Sequence, residues 1–383
     1  MDCQKHLFTL PDHHHYLNGA YFSPLLKTVE EAGIEGVRQK REPWHLQPKH
    51  FFENTNTLRS LFCRLINADD SNQVAILPAT SYGISTVANN LPAKADGKKI
   101  IVIGEQYPSN IYPWRRYCGH SGCGIETIRA PEKFDGRGKK WNERILDAID
   151  TNTLMLAMAN IHWTDGTLFD LESIGQRARD VGAYFVIDGT QSVGALPFDV
   201  QQLQPDALIC AGYKWLMGPY SIALGYFSER FNDGIPLEEG WIERQGSDDF
   251  AGLVNYTDEY QAGAVRYDVG ESSNFILLPM MIKALEQILE WGPANIQNYC
   301  KELTRDLTKE LSQQNYQIED PDWRTHHLFG IHLPEHIRPK ELQQKLTENN
   351  IHVSVRGSAL RVSTNVYNDE RDIAALRKVL NHP

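Results

Sequence analysis

The stretch VIDGTQSVGALPFDVQQLQPDALICAGYKWLMGPYSIALGYF, residues 186–227, decides the fold. It opens and closes on apolar runs, and a third, ALIC (207–210), lies between them. Unbroken apolar runs of this length read as strands covered on both faces, the mark of a mostly parallel sheet between helices. Two charged residues stand where such strands end: Asp188 closes YFVID, and Lys214 follows ALICAGY. Sheets of this type bind ligands beyond the carboxyl ends of their strands. A carboxylate there is costly unless paired, although Asp188 could simply cap the next turn. A lysine facing a cleft can lose its proton and act as a nucleophile or Schiff-base former. Its plain alternative is a solvated surface lysine.

Working outward, the same pattern recurs. QVAILP (73–78), KKIIVIGEQYP (98–108), GIETIRA (124–130), TLMLAMANIH (153–162) and AYFVIDG (183–189) read as strands, followed by DALICAGYK (206–214) and SIALGYFS (221–228). TSYGISTVANNL (80–91), a stretch around Trp114 and LESIGQRARDVG (171–182) read as helices between them. The expectation is an α/β fold with a mostly parallel seven-stranded sheet. Residues 232–270 lose this periodicity and read as a long functional excursion. Helices follow over 274–291 and up to Gln314. Strands HHLFGIHLP, IHVSV and ALRVST then alternate with helices near 338–349 and 369–381, predicting a smaller α+β domain. The expected division is 1–20 joining the small domain, 21–275 as the large domain and 276–383 as the small one.

The chain has 383 residues, 41% hydrophobic and 23% charged, with a net charge of −11. That composition is ordinary for a globular protein and excludes disorder, collagen and coiled coil. No basic run points to nucleic acid. No stretch approaches the ~20 apolar residues of a membrane helix. The opening MDCQKHLFTLPDHHHYLN (1–18) shows no signal-peptide core, so a cytoplasmic location is expected. Six cysteines do not suggest a disulfide framework in a chain this long. CGHSGC (118–123) lacks the second ligand pair of a structural zinc site, so no metal is expected. The run His13–His15 beside Pro11 and Asp12 reads as a solvated turn.

The polar residues after each strand are Thr80 and Ser81, Tyr107, His162 and Trp163, Asp188 and Gln191, and Tyr213 and Lys214. One acid, one lysine, hydroxyls at a helix start and several aromatics suit a planar, anionic, aldehyde-bearing cofactor. Thr80 and Ser81 either offer a phosphate the start of a helix or merely cap it. Tyr107 either stacks on a ring or packs on the core. Arg361, in SALRVSTNVYND, could hold a carboxylate by two parallel bonds, with Arg356 its competitor and a surface salt bridge the alternative for either.

Together these residues resemble the class V aminotransferases, pyridoxal-phosphate (PLP) enzymes of fold type I that include cysteine desulfurases, kynureninase and isopenicillin N epimerase. The pattern is Asp188 and Gln191 in DGTQ, an intervening strand, then Lys214 and the Gly-Pro at 218–219. HYLNGAYFSPL (15–25) is similar to the family's opening motif, and LRVSTNVYNDERDI (360–373) to its carboxylate-binding strand. The resemblance implies PLP on Lys214, Asp188 at the ring nitrogen and Gln191 at the phenolic oxygen. It implies Thr80, Ser81 and Tyr213 at the phosphate, with Tyr107 stacked on the ring. Arg361 would hold the substrate carboxylate, with Trp163 beside the substrate. VRYDVGESSNF (265–275) resembles a segment that reaches a neighbouring subunit's phosphate, through Ser272 or else Glu271 or Ser273, and so implies a homodimer.

Departures narrow the chemistry. VRGSALRVS (355–363) lacks the mobile cysteine of cysteine desulfurases, and Cys300 lies in a helix, so persulfide transfer is not expected. QYPSNIY (106–112), YKW (213–215) and GW (240–241) are similar to kynureninase, yet Gln191 stands where that enzyme usually has His. The expected activity is a side-chain lyase, carbon–sulfur or carbon–carbon, on an amino acid. An isopenicillin N epimerase-like epimerase or an aminotransferase is the alternative reaction, and a PLP-binding scaffold without turnover the non-enzymatic one.

Overall fold

The structure, a computed structural model, describes residues 1–357 and 359–382; Ser358 of the SALRVS stretch lies outside them. The chain begins with a short strand β1 (His15–Tyr16) and two helices, α1 (Lys27–Gln39) and α2 (His50–Ile66). Strands and helices then alternate as β2 (Val74–Leu77), α3 (Thr80–Asn89), β3 (Lys99–Ile103), α4 (Tyr112–Ser121), β4 (Gly124–Ile128), α5 (Arg137–Ala148) and β5 (Thr153–Ala159). They continue as α6 (Leu171–Asp180), β6 (Tyr184–Asp188), α7 (Val200–Leu203), β7 (Ala207–Ala211) and β8 (Ala223–Phe227). After the excursion come α8 (Leu277–Trp291), α9 (Pro293–Gln313), β9 (Leu328–His332), α10 (Pro339–Glu348), β10 (Ile351–His352), β11 (Ser354–Arg356), β12 (Ala359–Ser363) and α11 (Glu370–Asn381).

Seven strands form one sheet in the order β2-β8-β7-β6-β5-β3-β4. All pairs are parallel except those of β8, which runs antiparallel to β7 and β2. Alternation along each strand divides the apolar side chains between two cores. Leu156, Ile187 and Leu208 face α2, α5, α6 and α8, whereas Ala157, Val186 and Ile209 face α3 and α4. Both faces are therefore covered, which is why the strands read as unbroken apolar runs. Helix α3 seats closely on the sheet because Gly83 has no side chain: a Cβ there would lie 2.7 Å from Leu77 and 2.8 Å from Ile209.

A second, smaller α+β unit centres on the antiparallel sheet β11-β12-β9. Its core gathers Leu307 and Leu311 of α9 with residues from α10, α11 and Leu17. Helix α8 belongs to the large core instead, through Leu278, Met281 and Leu285. Core membership therefore changes within α9 and not at residue 276. The amino-terminal segment bridges the two, since Phe8 enters the large core and β1 pairs in parallel with β10. His13 is exposed in a turn as its neighbours suggest, whereas His14 and His15 are engaged. His15 Nδ1 lies 2.8 Å from Asp372 Oδ1, and His14 Nδ1 lies 2.8 Å from His352 Nε2. No helix of the described residues is long and apolar enough to cross a membrane.

Helices α1, α2 and α5 do not appear in the sequence reading. In α1 and α5 the apolar residues form narrow stripes among many charges; α2 has a broader apolar face and ends on a left-handed Asn67 (φ +54°), signals that the sequence reading did not use. One buried ion pair ties α2 to the sheet and to the end of the excursion. Arg59 on α2 is bonded to Asp268, while its Nε donates to Val74 O at 3.0 Å. Asp268 Oδ1 in turn accepts from Ile76 N–H at 2.8 Å. Removing one member of a buried pair leaves the other charge uncompensated. Asp268→Asn is expected to cost about 3–5 kcal/mol of stability in urea denaturation. A loss below about 1 kcal/mol would show that the pair does not hold these segments together.

Candidate active site

A cavity of about 230 Å3 opens at the carboxyl ends of the central strands. Asp188 ends β6, and Lys214 stands three residues past β7; both are 8% exposed and both line the cavity. The neighbouring strands hold Asp188 in register with Ile209. The loop carrying Lys214 is closed by Met217 N–H on Lys214 O at 3.0 Å and Gly218 N–H on Gly212 O at 2.8 Å. It contains two non-glycine residues in the left-handed region, Met217 (φ +51°) and Ser221 (φ +65°), a strained backbone of the kind found at functional sites. Gly194 (φ +101°) lets the turn after Asp188 press against this loop, since a Cβ there would sit 2.4 Å from Trp215 O.

Burial pushes the Lys214 amine down to about 8, opposed by Asp188 and helped by Arg361 and Arg356. The same burial pushes the Asp188 carboxyl up, against the opposing pull of Thr190 and Lys214. Thr190 is a site residue missing from the sequence reading. Its N–H donates to Asp188 Oδ1 at 3.0 Å, and its hydroxyl accepts from Ala211 N–H at 3.2 Å. That hydroxyl also lies 3.4 Å from Thr80 Oγ1, so one side chain links Asp188, the end of β7 and the start of α3.

Thr80 and Ser81 line the cavity as the first residues of α3, not as its cap. The cap position is Ala79, whose side chain offers no acceptor, so the first N–H groups of the helix have no side-chain partner. Tyr107 and Tyr213 each place a ring 5.6 Å from Lys214 Nζ. Tyr107 also meets Trp163 edge-to-face at 5.4 Å. Gln191 lines the cavity with its amide already engaged. Its Nε2 donates to Ala20 O at 3.2 Å, and its Oε1 accepts from Trp215 Nε1 at 2.8 Å. His162 turns away from the cavity, buried 3.0 Å from Gly104 O. Tyr220 and Ser221 also line it; their place in the lysine loop was the available signal.

A second chamber of about 370 Å3 adjoins the first and shares Tyr107, Trp163, Tyr213, Tyr220 and Lys214 with it. The smaller unit contributes Arg356 and Arg361. Arg361 is 1% exposed and donates from Nη1 to Trp163 O at 2.9 Å, while its Nε has no partner. Burial and the nearby Arg356 push its guanidinium down to about 9.

Ser272 is not brought to either chamber. It is 3% exposed and lies against Asp268 of its own chain, and Ser273 donates to Phe51 O at 2.6 Å. Cys300 is fully buried, with Sγ 3.5 Å from Thr364 O and its thiol pushed up to about 12 by burial. No cysteine lines either chamber among the described residues. Nor do the described residues place three His, Cys, Asp or Glu side chains to hold a metal.

Residues 37–376 match the aminotransferase class-V family model, and the chain belongs to that family. It is a PLP-dependent enzyme. It is similar to the uncharacterized aminotransferase YcbU of Bacillus subtilis, with 24% identity over 92% of this chain and 89% of that one. Among solved structures it resembles the apo cysteine desulfurase of Thermococcus onnurineus, with TM-score 0.84 and 21% identity over 100% of this chain and 98% of that one. It also resembles a C-DES mutant carrying glycine covalently linked to its PLP cofactor, with TM-score 0.87 and 17% identity over 98% of each chain. C-DES is described as a cystine C–S lyase.

The donor set fits the cofactor. An uncapped helix start with two hydroxyls suits a phosphate, and a buried carboxyl suits a cationic ring nitrogen. The amine form of a lysine is the nucleophile, so the state of Lys214 is testable directly. The rate at which added pyridoxal phosphate gives a visible chromophore on cofactor-free protein is expected to rise with pH around a midpoint near 8, the value to which burial pushes the amine. Asp188→Asn removes the carboxylate that favours the ammonium form, so it is expected to move that midpoint lower. A midpoint near the ordinary lysine value of 10.5 would contradict the assignment.

Proposed function

We propose that this enzyme is a side-chain lyase that acts on an amino acid and cleaves a carbon–sulfur or carbon–carbon bond. When bound, the cofactor supplies an electron sink for the pair left at Cα. Lys214 would be its attachment point and the base at the Cα proton. Asp188 would keep the ring nitrogen cationic, and Gln191, held by Ala20 and Trp215, would face the phenolic oxygen. Thr80, Ser81 and Tyr213 would hold the phosphate, and Tyr107 would stack on the ring. Arg361 fixes the substrate carboxylate, with Trp163 orienting it through its carbonyl.

The observation that carries this reading is the pairing of Lys214 with Arg361. A base that loses its proton readily shares one chamber with a buried guanidinium whose Nε has no partner and that has no carboxylate beside it. An α-carboxylate on Arg361 would present Cα to Lys214. Lys214 is the one amine or imidazole base among the described residues lining the chambers, which supports one-base elimination over epimerisation by two opposed bases. The buried Cys300 thiol supports release of the product over persulfide transfer.

The reading includes a homodimer with both sites near its interface. Tyr220 and Tyr112 are 61% and 63% exposed, and Tyr256 in the excursion is 97% exposed. Within 265–275, Gly270, Glu271 and Asn274 are exposed, so this stretch is the one offered to a neighbouring subunit. Light scattering is expected to give a dimer, and a fully active monomer would contradict it.

Arg361→Lys tests the substrate role. The guanidinium fork matches a carboxylate where an ammonium does not. Charge-assisted bonds are worth about 1.5–3 kcal/mol, so kcat/KM is expected to fall at least ~10-fold while cofactor binding is unchanged. Screening amino acids for pyruvate, alanine, ammonia and sulfide is expected to give a cleavage product. An inverted amino acid as sole product would contradict the lyase reading.

A further inference from the structure

The second chamber is lined by two arginines, and the described residues lining it include no carboxylate. Arg361 is accounted for by the substrate's α-carboxylate. Arg356 is not. Its guanidinium lies 5.8 Å from the centre of the Trp163 ring, and its Nη1 donates to Val355 O of its own strand at 2.8 Å. Among the described residues, no acidic side chain is paired with it.

Trp163 sets the spacing of the two cations. Its carbonyl accepts from Arg361, its ring lies under Arg356, and its edge meets Tyr107. The indole Nε1 donates to Glu105 O at 2.7 Å, which fixes the ring plane. Arg356 acts unfavourably on both Arg361 and Lys214. Three like charges around one chamber are a cost to the free protein, and a ligand bringing two anions relieves it. Lys214 is taken up by the cofactor, so two guanidiniums face the substrate.

We propose that the substrate is an amino acid with a second anionic group on its side chain, a carboxylate or sulfinate, and that Arg356 reads that group while Arg361 holds the α-carboxylate. The proposal rests on the amino-acid reading of the site given above. Burial supports the division of labour: Arg361 is 1% exposed and bonded to Trp163 O, whereas Arg356 is only partly buried. An acid and its amide are nearly the same shape, so charge alone separates them.

Calorimetric titration of the holoenzyme with aspartate, glutamate and cysteine sulfinate, against asparagine, glutamine and alanine, tests this. At least one acid is expected to bind about tenfold or more tightly than its neutral counterpart. Arg356→Gln is expected to remove that preference, weakening the acid about tenfold and leaving the neutral amino acids within about twofold. Equal affinity of acids and amides in the unaltered enzyme would overturn the proposal, as would an Arg356→Gln loss shared by both. The latter result would make Arg356 the α-carboxylate residue. Binding of neutral amino acids alone would sink the acidic-substrate inference and leave the amino-acid reading intact. Binding of no amino acid would sink both.

Discussion

An amine and a carboxylate share one buried cavity, and much of the site answers to the cost of putting them there. Neither Lys214 nor Asp188 has full access to water, and burial works against the charge of both. What keeps them useful is the balance of neighbours. Asp188 favours the lysine's charge and the two arginines oppose it, and with burial the amine is brought down to about 8. Thr190 steadies the carboxylate by a backbone N–H. The sheet makes this possible by placing the ends of β6 and β7 side by side. Cys210, behind Asp188, is apolar in practice, its thiol pushed well up by burial.

The substrate face is built from the other unit. Arg361 stands on β12 and reaches back to Trp163 O beyond β5, so the chamber exists only where the two units meet. A buried charge network clamps the same junction. Arg137 on α5 pairs with Asp165 at 2.9 Å and with Glu319 at 3.0 Å, and Gly330 N–H on β9 donates to Asp165 O at 2.8 Å. Burial works against the Asp165 carboxyl, yet His162 and Arg137 hold it well below the usual carboxylate range. His162 therefore serves the clamp, although it follows a strand like the residues that line the cavity.

The sheet and the two central site residues were legible because both depend on local pattern. Continuous apolar runs follow from burial on both faces, and Asp188 and Lys214 stand out as the charges at their ends. Thr190 was not legible, because a threonine after Asp-Gly gains its role from contacts with Ala211 and Thr80 across the sheet. Gln191 was read for its amide, but its anchoring by Ala20 and Trp215 spans 171 and 24 residues of sequence. Ser272 was read for its hydroxyl, and the fold shows that hydroxyl lying against Asp268 within its own chain. Helices α1 and α5 were hidden by their polarity, since a narrow apolar stripe gives little contrast without caps; α2, with its broader apolar face and Asn67 end, was not.

The central claim is that Lys214 carries the cofactor. Borohydride reduction of the holoenzyme, followed by proteolysis and mass spectrometry, tests it most directly. The account predicts one modified peptide, with the pyridoxyl group on Lys214. Recovery of the group on any other lysine, with Lys214 unmodified, would contradict it.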